Sequence, residues 1–189
     1  MYPAFQPHRL FSHMLIVISA IVTLGAFIYP DLYLYGMNVR FLSQGEYGSF
    51  LVQIILYQFL HGNLLHLVLN GYFLYSAGPM VESRMSQGAF RLFFIGNTLF
   101  CMVALLLFSS SSNTIGISGF AMALLAYLFM DLRSIRHPMA GQLGIMLEIN
   151  ILIGFSSGIS LTWHVAGAVF GYIWWLLMRH GLHKFVEAR

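Results

Sequence analysis

Two polar side chains in apolar surroundings, Ser118 and His164, are the residues of this sequence whose types could carry out chemistry. Ser118 stands between Gly116 and Gly119 in the segment GISG, and His164 begins an apolar run that ends near Arg179. A histidine next to a serine can take the hydroxyl proton, which is the minimal arrangement for nucleophilic catalysis. The pair therefore predicts nucleophilic catalysis, provided that the fold brings the two side chains together.

The composition indicates that these residues belong to a membrane protein. Hydrophobic residues make up 59% of the 189 residues and charged residues only 8%, against about 25% charged residues in soluble domains. The net charge of +3 is small and the basic residues are scattered, which argues against nucleic-acid binding. Cys101 is the one cysteine, so an internal disulfide is excluded, and its apolar surroundings favour a packing role.

The apolar runs predict an all-α, polytopic membrane protein that forms a single membrane-embedded domain over residues 1–189. Six runs are expected to span the bilayer, at residues 12–29, 63–81, 90–109, 116–130, 139–156 and 162–178. The first run lacks a clear cleavage site, so we expect it to be a retained helix rather than a signal peptide. The apolar stretch before the second run is expected in the outer interface or partly inside the bilayer.

The basic residues predict the orientation of these spans. With the N-terminus in the cytoplasm, every lysine and arginine except Arg40 falls on the cytoplasmic side, as the positive-inside rule requires. Those residues are Arg9, Arg84, Arg91, Arg133, Arg136, Arg179, Lys184 and Arg189. We therefore expect both termini in the cytoplasm. The short chain without soluble domains suggests a prokaryotic inner membrane.

Counting residues from the inner face places four polar side chains at one depth. At about 1.5 Å per residue, Ser118 lies about 20 Å above Asp131, where the fourth span meets the inner face. The same count puts His164 at about 22 Å, His66 at about 24 Å and Asn70 at about 18 Å. A bilayer core of about 30 Å leaves all four about 10 Å below the outer surface. Because polar groups inside a membrane are costly, this predicts one site that opens outward.

A helix that starts at Ser118 is too short to cross the bilayer, and its recessed start would place a helix N-terminus at the site. The first N–H groups of a helix have no partner within it, and they carry the positive end of its dipole. Beside Ser118 those groups could stabilise an oxyanion. Gly116 and Gly119 would allow the tight loop and the close backbone approach there.

Four motifs, in order along the chain, resemble those of the rhomboid intramembrane serine proteases. They read HGNLLHLVLN at His61, His66 and Asn70; GPMVESR at Gly78, Glu82 and Arg84; GISG at Ser118; and HVAGAVFG at His164, Gly167 and Gly171. Each motif alone is weak, whereas four in this order with this topology are specific. The resemblance covers the second to the sixth span.

The resemblance implies a protease that acts in the lipid bilayer on transmembrane protein substrates, with no cofactor and no metal. Ser118 would be the nucleophile and His164 the base of a dyad that has no aspartate. His66, Asn70 and the N–H of Ser118 would form the oxyanion hole, and His61 would be structural. Gly-x3-Gly spacing in the sixth span would let that helix press against the fourth and bring the dyad together.

Three positions are not explained by the family pattern. The segment YGSFLVQ in the first external loop lacks the Trp-Arg pair that the family often has, and Met122 stands where many members have a tyrosine beneath the imidazole. Glu148 lies near the midplane of the fifth span, too deep to complete a triad. It is expected to be protonated or bonded to a neighbour such as Asn150.

Two alternatives compete with the protease hypothesis. One is a catalytically inactive rhomboid-like protein that binds membrane clients, although such a protein has no need of a complete dyad. The other is a haem or metal protein that uses His61, His66 and His164. The five-residue spacing of the first two would turn them about 140° apart on a helix, which is poor for shared ligation.

Overall fold

The computed structural model describes residues 11–108, 113–155 and 160–182, and these ranges are helical almost throughout. The α-helices are α1 (Phe11–Ile28), α2 (Arg40–Ser43), α3 (Tyr47–Leu56), α4 (Leu64–Glu82), α5 (Gln87–Phe108), α6 (Ser118–Ser134), α7 (Ala140–Ile153) and α8 (Leu161–Leu177). A 3₁₀ helix (Pro30–Tyr35) follows α1, and a π-helical turn (Met178–Leu182) ends α8. The described ranges hold no β-strand, only an isolated bridge between Met37 and Thr114. The predicted all-α class is confirmed.

The six apolar runs correspond to α1 and to α4 through α8. Three helical stretches are long and apolar enough to cross a membrane: Phe11–Ile28, Gln87–Phe108 and Leu161–Gly181. Helices α3 and α7 are apolar but shorter, so the count of six spans stays a prediction. The run ends predicted at residues 109 and 156 lie outside the described residues, as do Arg9, Lys184 and Arg189.

Helix α6 lies at the centre of the bundle. Each of its residues from 119 to 128 is buried, and a helix that is apolar on all sides is one that other helices surround. Helix α8 lies directly on it, because Gly167 faces the backbone of Gly119 and Gly171 faces that of Ala123, too close for any side chain. This contact between small residues fixes the start of α8 beside the start of α6.

The second motif, GPMVESR, joins the C-terminal ends of α4 and α6, which lie away from Ser118. The Glu82 carboxylate is buried and accepts hydrogen bonds from the backbone N–H of Phe11, at 3.1 Å, and of Ser12, at 3.2 Å. It thereby caps the described start of α1, where helix N–H groups lack partners. Arg84 forms a 2.7 Å salt bridge to Asp131 of α6. The motif therefore ties α1, α4 and α6 together.

Candidate active site

The nucleophile candidate Ser118 is the first residue of α6, and the loop before it is fastened to the segment after α1. Thr114 and Met37 exchange two backbone hydrogen bonds of 2.8 and 3.1 Å. The amide of Asn113 donates to the carbonyl of Tyr33 and accepts from Asn38, each at 3.0 Å. These bonds hold the serine loop against the segment that follows α1.

Gly116 adopts a backbone conformation that favours glycine, with φ of +108°. Its N–H donates to the carbonyl of Tyr57 at 2.9 Å. A Cβ atom at this position would lie 2.9 Å from Nε2 of His66, closer than side chains tolerate. The glycine therefore lets the His66 ring lie over the chain two residues before Ser118.

His164 lies on the first turn of α8 and contacts both Ser118 and α7. Its Nε2 is 3.2 Å from Oγ of Ser118, and its Nδ1 is 2.8 Å from the backbone carbonyl oxygen of Asn150. The imidazole is buried, whereas Ser118 is partly exposed. The structure thus brings the two predicted dyad residues within hydrogen-bond reach, the geometry that base activation of a serine needs.

The N-terminus of α6 leaves backbone donors unused beside the serine. The first hydrogen bond within the helix runs from the N–H of Ala121 to the carbonyl of Ile117, at 3.1 Å. The N–H groups of Ser118, Gly119 and Phe120 have no hydrogen-bond partner in the described part of the chain. Unpaired N–H groups at a helix N-terminus are suited to hold a negatively charged oxygen.

The two other predicted oxyanion donors lie on the first turns of α4. Asn63 caps this helix by accepting from the N–H of His66 at 2.8 Å, while the ring of His66 lies beside Gly116. The buried amide of Asn70 donates one of its two N–H bonds to the carbonyl of His66, at 2.9 Å. Within the described residues, its other N–H has no partner. The ring of His66 likewise has no hydrogen-bond partner among the described residues, so both side chains retain a donor for a ligand.

His61 is buried in the segment before α4 and joins three parts of the chain. Its Nδ1 lies 3.1 Å from Oγ1 of Thr23 in α1 and 3.2 Å from the carbonyl of Phe59, and its own carbonyl accepts from the Tyr33 hydroxyl at 2.9 Å. These bonds anchor the chain just before the first turn of α4.

The predicted angle of about 140° between His61 and His66 around one helix is wrong. Helix α4 begins only at Leu64, so His61 precedes it, and the two rings meet edge to face with centroids 4.8 Å apart. Despite this closeness, the described residues contain no group of three or more His, Cys, Asp or Glu side chains that could hold a metal ion.

Glu148 and Met122 take no part in the hydrogen bonds of Ser118 and His164. Glu148 is exposed on α7 and has no hydrogen bond or ion pair with any described residue. The expected bond to Asn150 is not formed, and the amide of Asn150 donates instead to the carbonyl of Met146 at 2.8 Å. Met122 is buried in the core around α6.

Sequence reasoning missed the contact between Gly119 and Trp163. A Cβ atom on Gly119 would lie 2.5 Å from Cε2 of Trp163, so the indole lies against the backbone just after the nucleophile. It also missed the carbonyl of Asn150 as a partner of His164. Every residue type supplies a carbonyl, so no sequence signal could have identified that one.

A comparison with known protein families shows the family of this chain. The family model described as Rhomboid domain matches residues 49–181, more than half of the chain. The chain belongs to the rhomboid family. No curated protein matches it in a direct comparison. Rhomboid-family proteins are generally intramembrane serine proteases, and the apolar helices agree with an integral membrane protein. The matched range begins within α3 and extends past the end of α8, so it includes both Ser118 and His164.

Proposed function

We propose that this rhomboid-family protein is a serine endopeptidase that hydrolyses peptide bonds near the outer end of substrate transmembrane helices. The observation that carries the proposal is the 3.2 Å contact between Oγ of Ser118 and Nε2 of His164. It occurs at the N-terminus of α6, inside the residues that match the rhomboid domain. The partners are transmembrane protein substrates and the lipid bilayer. The site needs neither metal nor cofactor, because the dyad supplies both nucleophile and base.

The first half of the reaction forms an acyl-enzyme. Nε2 of His164 takes the hydroxyl proton as Oγ of Ser118 attacks the scissile carbonyl carbon. The carbonyl oxygen becomes an oxyanion, which the N–H of Ser118 and the side chains of His66 and Asn70 stabilise. The C–N bond then breaks, His164 donates its proton to the leaving amine, and the acyl group remains on Ser118 as an ester.

The second half returns the enzyme to its starting state. A water molecule enters from the outer side, where Ser118 is partly exposed. His164 takes a proton from this water as its oxygen attacks the ester carbon, and the same donors stabilise the second oxyanion. The ester bond breaks, the proton passes from His164 to Oγ of Ser118, and the product leaves as a carboxylic acid that gives up its proton to water.

The proposal includes an orientation of the helices in the membrane. With both termini in the cytoplasm, the start of α6 faces the outer half of the bilayer and the Arg84–Asp131 pair lies at the inner face. Basic residues near the described helix ends, such as Arg133 and Arg179, then lie on the cytoplasmic side. A prokaryotic inner membrane suits a protein of this topology.

Labelling with a fluorophosphonate probe tests the function, because this reagent requires an activated serine. The protein in lipid vesicles should be labelled and should cleave a single-span model substrate. Ser118→Ala and His164→Ala should each abolish labelling and cleavage while leaving the helical content and melting temperature unchanged. Cleavage by Ser118→Ala at the normal rate would refute the mechanism. Binding of clients with no labelling would instead favour an inactive rhomboid-like protein.

A further inference from the structure

The two ring nitrogens of His164 have different partners, and the partner on α7 decides which one carries the proton. Nδ1 lies 2.8 Å from the carbonyl oxygen of Asn150, closer than the 3.2 Å between Nε2 and Ser118. A carbonyl oxygen can only accept a hydrogen bond, so Nδ1 must be the protonated nitrogen. Nε2 of the neutral ring is then bare, and this is the tautomer that can accept the serine proton.

The carbonyl of Asn150 is available because the end of α7 tightens. In a regular α-helix this carbonyl would accept from the N–H of Gly154, four residues later. Instead the N–H of Gly154 donates to Ile151 at 2.9 Å, and that of Phe155 donates to Leu152 at 3.1 Å. This three-residue spacing is the 3₁₀ pattern, and it releases the Asn150 carbonyl for His164.

Gly154 lets the end of α7 approach the start of α8. A Cβ atom on Gly154 would lie 2.8 Å from Cα of Leu161 and 2.9 Å from the carbonyl oxygen of Ile151. Both of these are backbone atoms, which cannot swing aside as a side chain can. A larger residue would therefore push α7 away from α8 and lengthen the distance between Asn150 and His164.

No side chain of α7 takes the place of this carbonyl. Glu148, the carboxylate on the helix, is exposed and has no partner among the described residues. The side chain of Asn150 donates to its own helix at Met146. The group that faces His164 is thus a backbone atom, which holds the ring as an aspartate holds the histidine of a triad.

We propose that the last turn of α7 is a positioning element, and that its Asn150 carbonyl is the third member of the Ser118–His164 arrangement. It fixes the tautomer and the orientation of the imidazole, and it stabilises the imidazolium that forms when Ser118 gives up its proton. This inference rests on the proposed protease function. Because no residue of α7 is fully buried, displacement of this helix alone would release the ring and slow the reaction.

Two glycines on and beside α7 provide a matched pair of variants. Gly154→Ala introduces the backbone clash, whereas Gly141→Ala places its methyl group in open space. In the full-length protein, Gly154→Ala should lower kcat about tenfold to hundredfold, the effect of one hydrogen bond to a charged group, and leave KM nearly unchanged. Gly141→Ala should leave both constants unchanged.

Nitrogen-15 NMR of protein labelled at its histidines supplies the readout that a merely structural role would not affect. The His164 signal, assigned by its loss in His164→Gln, should show a protonated, hydrogen-bonded Nδ1 in the unsubstituted protein and a mixture of tautomers in Gly154→Ala. If Gly154→Ala does not fold, Nδ1-methylhistidine in place of His164 removes the same donor and should reduce kcat by a similar factor.

Three outcomes would overturn the inference: a bare Nδ1 in the unsubstituted protein, a normal kcat and spectrum in Gly154→Ala, or a normal kcat with the methylated ring. Fluorophosphonate labelling of the unsubstituted protein distinguishes a failure of the inference about α7 from a failure of the proposed protease function. Normal labelling together with any of the three results rejects only the role of α7. Absence of labelling rejects the protease itself, and the NMR spectrum still reports on the Asn150 contact.

Discussion

The indole of Trp163 lies against the backbone of Gly119, so close that a methyl group on the glycine would be 2.5 Å from Cε2 of the ring. Gly119 follows the candidate nucleophile and Trp163 precedes the candidate base, so the contact joins the two halves of the site next to the reacting atoms. The indole also lies edge-on to Tyr57, with centroids 5.0 Å apart. The ring therefore has little freedom to move away.

Gly119→Ala should for this reason separate Ser118 from His164. We expect cleavage to fall at least about hundredfold, because a displacement near 1 Å at the reacting atoms has effects of that size. Gly25→Ala is the matched control, since its methyl group would be 3.8 Å from the nearest side chain. Rates of substrate cleavage, measured beside melting temperatures, test this. Normal turnover in Gly119→Ala would show that the Trp163 contact does not set the dyad distance.

Asn70→Ala tests the oxyanion hole. Loss of one donor should lower turnover about 10²-fold without abolishing it. The substitution also removes the hydrogen bond to the carbonyl of His66. Ser76→Ala is a control for that loss. The Ser76 hydroxyl donates to the carbonyl of Tyr72, four residues earlier on the same helix. A large drop in melting temperature with normal specific activity would point to packing instead.

Asn113→Ala should loosen the loop that carries the nucleophile. The side chain loses its bonds to Tyr33 and Asn38, and each such bond contributes about 1 kcal/mol. We expect fluorophosphonate labelling of Ser118 to slow about fivefold to thirtyfold. Ser43→Ala, which removes an exposed bond within α2, should label at the normal rate. Equal labelling of both variants would contradict the loop's role.

Glu82→Gln should destabilise the fold without altering the chemistry. The buried carboxylate accepts from two backbone N–H groups and from the Ser12 hydroxyl, and an amide can accept these bonds at only one of its two positions. A loss of about 1–3 kcal/mol is expected, seen as a lower melting temperature in detergent. Glu46→Gln, at an exposed position with no capping bond, should melt normally. Unchanged melting in Glu82→Gln would disprove the capping role.

The depth of Ser118 predicts where substrates are cut. The scissile bond should lie in the outer third of the substrate helix, which must unwind there although exposed backbone groups are costly in hydrocarbon. A uniformly Leu-rich span should resist cleavage, and a Gly pair in its outer third should make it a substrate. Mass spectrometry of the products locates the cut. Cuts at the cytoplasmic end, or indifference to the Gly pair, would refute the depth argument.

Much of the fold was accessible to sequence reasoning, because hydrophobic runs and helix rise are local properties. The helix carrying His164 was expected over residues 162–178 and is found at Leu161–Leu177. The short helix begins at Ser118, as expected, but it extends to Ser134, past the end of the predicted apolar run at residue 130. Its C-terminal end is polar, so hydropathy alone ended the run too early.

The tertiary details of the site were not accessible in the same way. A repeated glycine spacing at Gly167 and Gly171 leaves a trace in the sequence, and so does the serine motif. By contrast, the tightened turn at Gly154 and the edge-to-face contact of His61 with His66 depend on how segments approach in space. No local pattern encodes such approaches, and the assumption that residues 61 to 66 form one helix gave the wrong angle.

The burial of α6 on all sides also has a consequence for how the protein can change. Ten consecutive positions, residues 119 to 128, are enclosed, so nearly every substitution there meets a neighbour and should be lost from a library of variants selected for activity. Helix α7 has no fully buried residue and should tolerate many side chains on its outward face. Sequence variation should therefore accumulate on that face, while the helix that bears the nucleophile stays constant.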